Sequence, residues 1–302
     1  MNQPVKLRAL AVLLLFAAVL LNVSGGAWAA APFRSERMTV EVRGRGPDVV
    51  LIPGLASSPE VWRATADRLD DTHRVHLVQV HGFAGAPAGA NAQGLVVAPL
   101  IGELNRYIVH AGLRRPAVIG HSLGGFTGLR LAAEHPHAVG RVLVVDSLPF
   151  FPLLFSPAAT VENVTPRADA IRDAMLAAPP EGFAAAQASG MARLVKDAAA
   201  RERHAKIGGA SNPGAVARAM HELMTSDLRP QLPRVGVPVT VLYAWDPAMG
   251  VPAETYDRLW RDAYAGLPGA VLTRVDGSFH FIMDDQPARF ATEVDRFLGA
   301  KQ

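Results

Sequence analysis

Short β-branched runs alternate with longer helical patterns along most of this 302-residue chain, and each run stops at a residue suited to a turn or to chemistry. Residues 49–52 stop at Pro53-Gly54, residues 75–80 at His81-Gly82, and residues 117–119 at Gly120-His121-Ser122-Leu123-Gly124-Gly125. Residues 142–145 stop at Asp146, residues 237–243 shortly before Asp246, and residues 270–275 shortly before His280. Helical patterns over 59–69, 97–111, 123–134, 252–265 and 287–298 fill the intervals. Short apolar strands spaced by helices predict a parallel sheet with helices on its faces, an α/β architecture. Residues 38–43 read as an antiparallel edge strand added to it.

The alternation breaks once. Ninety residues separate Asp146 from Val237, far more than one crossover needs. Much of that span is rich in Ala and Arg with helical spacing, over 168–177 and 183–204, so 149–232 is expected to be a helical cap inserted into a core made of 30–148 and 233–302. Residues 85–94 (GAPAGANAQG) read as a flexible loop within the core rather than a linker.

The amino terminus reads as a leader. Lys6 and Arg8 precede an apolar run of twelve, and Ala27-Trp28-Ala29 puts small residues where a signal peptidase cuts, so 1–29 is expected to be a secretory signal and the product periplasmic or secreted. The run is short for a bilayer span of about 20 residues, which makes an uncleaved anchor the weaker expectation. The leader holds two of the 30 Lys and Arg and none of the 27 Asp and Glu, so the formal charge of +3 falls close to neutral without it. No run of like charge offers a footprint for nucleic acid, and none is expected as a partner. The absence of cysteine excludes disulfides, thiolate metal sites and a thiol nucleophile.

Gly120-His121-Ser122-Leu123-Gly124 is G-x-S-x-G set directly between a strand and a helix. Small residues on both sides of the serine allow the sharp turn that pushes a hydroxyl out at the sheet's carboxyl edge. A serine hydroxyl is a weak nucleophile until a base removes its proton, and His280, in a loop after the last strand, is the candidate base. A carboxylate must then orient the imidazole. Asp246 is favoured because it lies one strand before the histidine; Asp146, at the same edge of the sheet, is the rival. The backbone N–H of Leu123, and that of Leu55 in the loop after the first core strand, are the expected donors to a developing oxyanion.

These pieces together resemble the α/β-hydrolase family: the PGLA loop at 53–56, the GFAG turn at 82–85, GHSLGG at 120–125, WDP at 245–247 and SFHFIMDDQP at 278–287. The resemblance spans about 38–298. It implies an eight-stranded, mostly parallel sheet and a Ser–Asp–His triad that needs neither cofactor nor metal. A serine at 122 speaks against the epoxide hydrolases and haloalkane dehalogenases of that family, which use aspartate there. The expected activity is hydrolysis of a small-molecule carboxylic ester through an acyl-enzyme. Lactone opening, carbon–carbon bond hydrolysis, perhydrolysis and a non-catalytic binding role are the alternatives. Phe150, Phe151, Leu153 and Phe155 open the insertion with an apolar run; with Phe279 they are candidates for a pocket that takes an apolar ester.

Overall fold

A computed structural model describes residues 32–299, and the leader assigned to 1–29 lies outside the described residues. Residues from Arg34 onward form one compact unit built on a seven-stranded sheet of order β1-β3-β2-β4-β5-β6-β7. The strands are β1 (Met38–Gly44), β2 (Asp48–Ile52), β3 (Arg74–Val80), β4 (Ala117–His121), β5 (Arg141–Val145), β6 (Val239–Trp245) and β7 (Val271–Asp276). β1 runs antiparallel to β3, with Met38 opposite Val80, and every other pairing is parallel. The sheet therefore has seven strands among the described residues, not the eight that the family resemblance implied. Chain 38–80 supplies one antiparallel edge strand and then two parallel strands, which matches the seven apolar runs in the sequence.

The interior strands explain themselves. All of β5 and all but the first residue of β2 and β4 are buried, as expected where helices cover both faces of a parallel sheet. Ten elements of α-helix accompany the strands among the described residues. In the core they are α1 (Arg63–Leu69), α2 (Val97–His110), α3 (Leu123–Glu134), α8 (Ala253–Ala263), α9 (Ile282–Asp285) and α10 (Pro287–Gly299). α2 shows why such segments fold as helices: Val97, Leu100, Ile101, Leu104 and Ile108 recur at three- and four-residue steps and form one buried stripe. α3 has no wet face to speak of, and three glycines let it lie almost on the strands. A Cβ at Gly128 would press Val118, and one at Gly125 would press the Gly120 carbonyl and Val144.

Between β5 and β6 lie α4 (Val161–Ala177), α5 (Pro180–Met191), α6 (Ala198–Gly209) and α7 (Pro213–Thr225), preceded by a short 3-10 turn at Phe151–Leu154. The helix expected over 183–204 is thus two helices with a linker at 192–197. Asp197 ends that linker by accepting from the Ala200 N–H, and Asn212 and Thr160 cap α7 and α4 in the same way. The loop at 85–94, expected to be flexible, is pinned at its centre. Asn91 is fully buried there, donates to the Arg37 and His81 carbonyls and accepts from the Arg37 guanidinium.

The order of strands decides where a site can form. From β2 the chain moves to β3 on one side and later returns to β4 on the other, so a crevice opens between the carboxyl ends of β2 and β4. Ile52 lies opposite Gly120 across that pair, which places Pro53-Gly54 beside His121-Ser122.

Candidate active site

Ser122 follows the last residue of β4 and precedes the first of α3, with φ 53° and ψ −121°. Few L-residues adopt that backbone, and such a conformation costs about 1–3 kcal/mol that the surroundings must offset. Part of the offset is visible: the Ser122 N–H donates to the Val145 carbonyl at 2.8 Å. The flanking glycines are obligatory, because a Cβ at Gly120 would collide with the Gly124 carbonyl and one at Gly124 with the Ile52 carbonyl. The motif is therefore a packing requirement that leaves Ser122 half-exposed at the crevice. Gly54 has a similar reason, since a Cβ there would lie 3.2 Å from the Ser122 Cβ and 3.1 Å from His121 Nδ1.

His280 lies in the loop between β7 and α9, and its Nδ1–H donates to Asp146 Oδ2 at 2.6 Å. The other Asp146 oxygen accepts from the Ala244 N–H of β6 at 2.8 Å. That arrangement leaves Nε2 of His280 as the basic nitrogen. Asp146 reaches it because β5 ends in a left-handed residue, φ 50°, which turns the carboxylate across the end of β6.

The imidazole is bonded to the rival carboxylate and not to the favoured one. Asp246 does not meet His280: Oδ2 accepts from Lys196 Nζ at 2.5 Å and Oδ1 from the Ala248 N–H of its own turn at 2.8 Å. The Lys196 bond and then the Ala248 N–H hold its carboxyl below the usual aspartate range. Position in sequence favoured Asp246 because it precedes His280 by one strand. The backbone at Asp146, which no spacing argument contains, reverses that preference.

Next to Ser122, the ring of His121 is fully buried and 4.5 Å from that of His280. His121 Nε2–H donates to the His280 carbonyl at 3.1 Å, whereas Nδ1 has no hydrogen-bond partner among the described residues. Burial, and then the neighbouring His280, hold its pKa well below the ordinary histidine value. His121 is consequently a neutral donor under the loop.

The two expected oxyanion donors belong to the two segments that meet beside Ser122. Leu123 opens α3, where a helix's first N–H groups have no intrahelical acceptor and lie at the positive end of its dipole. Leu55 belongs to the loop that Gly54 brings against Ser122, and Ala56 turns that loop with φ 54°.

The apolar candidates divide. Phe150 is fully buried with the Arg229 guanidinium 5.1 Å over its ring. Leu153 and Phe155 line a cavity of about 390 Å³ with Tyr256 and Leu259, and Phe151 meets Phe155 edge-on at 5.4 Å. Neither Ser122 nor His280 lines that cavity. Phe279 carries Lys196 Nζ 5.7 Å from its ring centroid. An aromatic group behind Asp146 had escaped the sequence reading. Tyr256 and Trp260 of α8 and Tyr264, which caps its carboxyl end, repeat every four residues, and Tyr264 Oη–H donates to the Ser147 carbonyl at 2.5 Å. Burial and then the Asp146 charge push the Tyr256 hydroxyl above its ordinary range. Its helical spacing was available as a signal, although it resembled plain core.

No group of three or more His, Asp or Glu side chains among the described residues could hold a metal ion. A family profile described as "Alpha/beta hydrolase family" matches residues 49–293. A pimeloyl-[acyl-carrier protein] methyl ester esterase of Vibrio atlanticus is 29% identical over 215 residues, 69% of this chain and 80% of that one. A Yersinia enterocolitica protein named for carbamate hydrolysis is 28% identical over 207 residues, 66% of this chain and 69% of that one. A hydrolase of Pseudomonas aeruginosa superimposes with a TM-score of 0.71 at 22% identity, over 87% of this chain and 94% of that one. The chain belongs to the alpha/beta hydrolase family, and it is a hydrolase.

Proposed function

We propose that this hydrolase cleaves carboxylic esters of small, apolar molecules through an acyl-enzyme on Ser122. The observation that carries the reading is the 2.6 Å bond from His280 Nδ1–H to Asp146, made at the same sheet edge as the strained Ser122 turn. In this reading the Ser122 hydroxyl attacks the ester carbonyl while His280 Nε2 takes its proton. Asp146 holds the ring and stabilises the imidazolium. The N–H groups of Leu55 and Leu123 receive the oxyanion, which adds most where charge develops in a site closed to water. His280 then protonates the departing alcohol, and a water activated by the same nitrogen releases the acid. The methyl ester esterase among the relatives favours an ester over the other carbonyl substrates open to this chemistry. The leader-like residues 1–29 support export to the periplasm or beyond.

The test is turnover of p-nitrophenyl esters from acetate to palmitate by the chain from Ala30 and by its Ser122→Ala variant. A loss of at least about 10³-fold in the variant is expected, with the preferred acyl length giving the reach of the pocket. Equal turnover by both proteins would overturn the reading.

A further inference from the structure

We infer that Asp285 is a positioning residue for the chemistry of His280, and that it acts by fastening the histidine's loop to the linker between α5 and α6; this rests on His280 being the base. One oxygen of the Asp285 carboxylate accepts from the N–H of Phe279, the residue before His280, at 2.8 Å. The other accepts from two linker N–H groups, Lys196 at 2.8 Å and Asp197 at 3.3 Å. Beyond the histidine, the Phe281 N–H donates to the Leu194 carbonyl of the same linker at 3.1 Å. Lys196 adds a further tie, donating from Nζ to the Gly277 carbonyl at 3.2 Å as well as to Asp246. The loop is therefore held from the linker on both sides of His280, and the His280 carbonyl between them is held by His121. The linker is itself anchored, because Met191 and Val195 belong to the apolar cluster that contains Phe281, Ile282 and Met283.

The chemistry of the side chain is what makes Asp285 central. Both of its oxygens face N–H donors, so it must accept on both sides, which a carboxylate does and a carboxamide cannot. An asparagine would turn its own N–H₂ group toward either Phe279 or the linker, and one of the two ties would be lost. An imidazole that must address Asp146 with one nitrogen and Ser122 with the other tolerates little displacement, since small errors of placement are costly in rate. The loss belongs in kcat, because Asp285 acts through the placement of the imidazole.

The experiment compares the wild-type chain with Asp285→Asn, Asp285→Glu and, as a control, Asp146→Asn. Each is measured for kcat and KM on p-nitrophenyl acetate, for thermal unfolding, and for the low-field proton resonance of the His280 Nδ1–H. Asp285→Asn is expected to lower kcat about ten- to a hundred-fold, to leave KM within about two-fold, and to shift or broaden the resonance that Asp146→Asn abolishes. Asp285→Glu, which keeps both acceptor oxygens, recovers most of the rate and the signal. A folded Asp285→Asn protein with the wild-type resonance overturns the proposal, whatever its rate. Should that variant not fold, Asp285→Ser, which lacks the carboxylate that spans Phe279 and the linker, carries the same comparison, and an unmoved resonance there overturns it. If the wild type shows no Ser122-dependent turnover, the esterase reading falls, while the response of the resonance still decides whether Asp285 positions His280.

Discussion

Asp146 and Asp246 end adjacent strands of one sheet, yet their side chains answer to different neighbours. Asp146 turns at φ 50° to place one oxygen on the β6 backbone and the other on His280; Asp246 is consumed by its own turn and by Lys196. Replacing Asp146 by Asn keeps the shape but offers an N–H₂ where the histidine needs an acceptor. Ester turnover should then drop about 10³–10⁴-fold. Asp246→Asn leaves the His280 bond intact and weakens an ion pair whose Lys196 side is exposed to water, so its loss should stay below about ten-fold. Measuring kcat/KM for the two variants on one ester checks the assignment, and a reversed order would return the role of the acid to Asp246. Sequence alone could place both carboxylates at the active edge because each follows a β-branched run. It could not choose between them, since the choice depends on one left-handed residue.

At the scale of elements, most of the frame was legible. The run from Ala117 to Glu134 reads as strand, turn and helix from composition alone, and the glycines around Ser122 prove to be fixed by contacts with the Ile52 and Gly124 carbonyls. What stayed hidden were single polar groups that join distant elements. Glu222 on α7 looks like an ordinary helix charge, but it is buried, and it accepts from Val96 N–H at 2.5 Å and from Val97 and Ala98 N–H at 3.0 Å each. The inserted helix thereby caps the amino terminus of α2, where a negative charge is favoured. Asp285, Lys196 and Leu194 do the equivalent on the other side of the insertion. Periodicity finds helices, and it has no means of pairing a side chain with backbone more than a hundred residues away. Glu222→Gln should remove the charge and set an N–H₂ group against N–H donors. A loss of about 2–3 kcal/mol is expected, read as a lower midpoint in urea unfolding; an unchanged midpoint would mean that the bonds add nothing.

For the whole molecule, the histidines with lowered pKa set how stability depends on pH. His121 is held neutral by burial and by His280; His76 is depressed by burial despite its bond to Asp48; and His73 is depressed by burial and by Arg68. In each the folded pKa lies below the unfolded value near 6.5, so the unfolded chain binds more protons once the pH falls below that value. Stability should therefore be complete above about pH 7 and decline as the pH drops through 6 toward 5. The lowered carboxylates, Asp48 and Asp246 among them, act the other way round in position: their contribution is lost only as the pH falls below the ordinary aspartate value of 3.8, outside this window. A fully neutral buried histidine contributes a slope of up to about 1.4 kcal/mol per pH unit, and His121, the most buried of the three, should give the largest share. His121→Gln retains a donor near the His280 carbonyl but does not titrate, so it should be less stable than the wild type at pH 8 and lose less between pH 7 and pH 5.5. Urea unfolding of both proteins at several pH values measures the two slopes. Identical slopes would show that His121 takes up its proton in the folded protein as readily as in the unfolded one, and that the ring beside Ser122 is not held neutral by its burial.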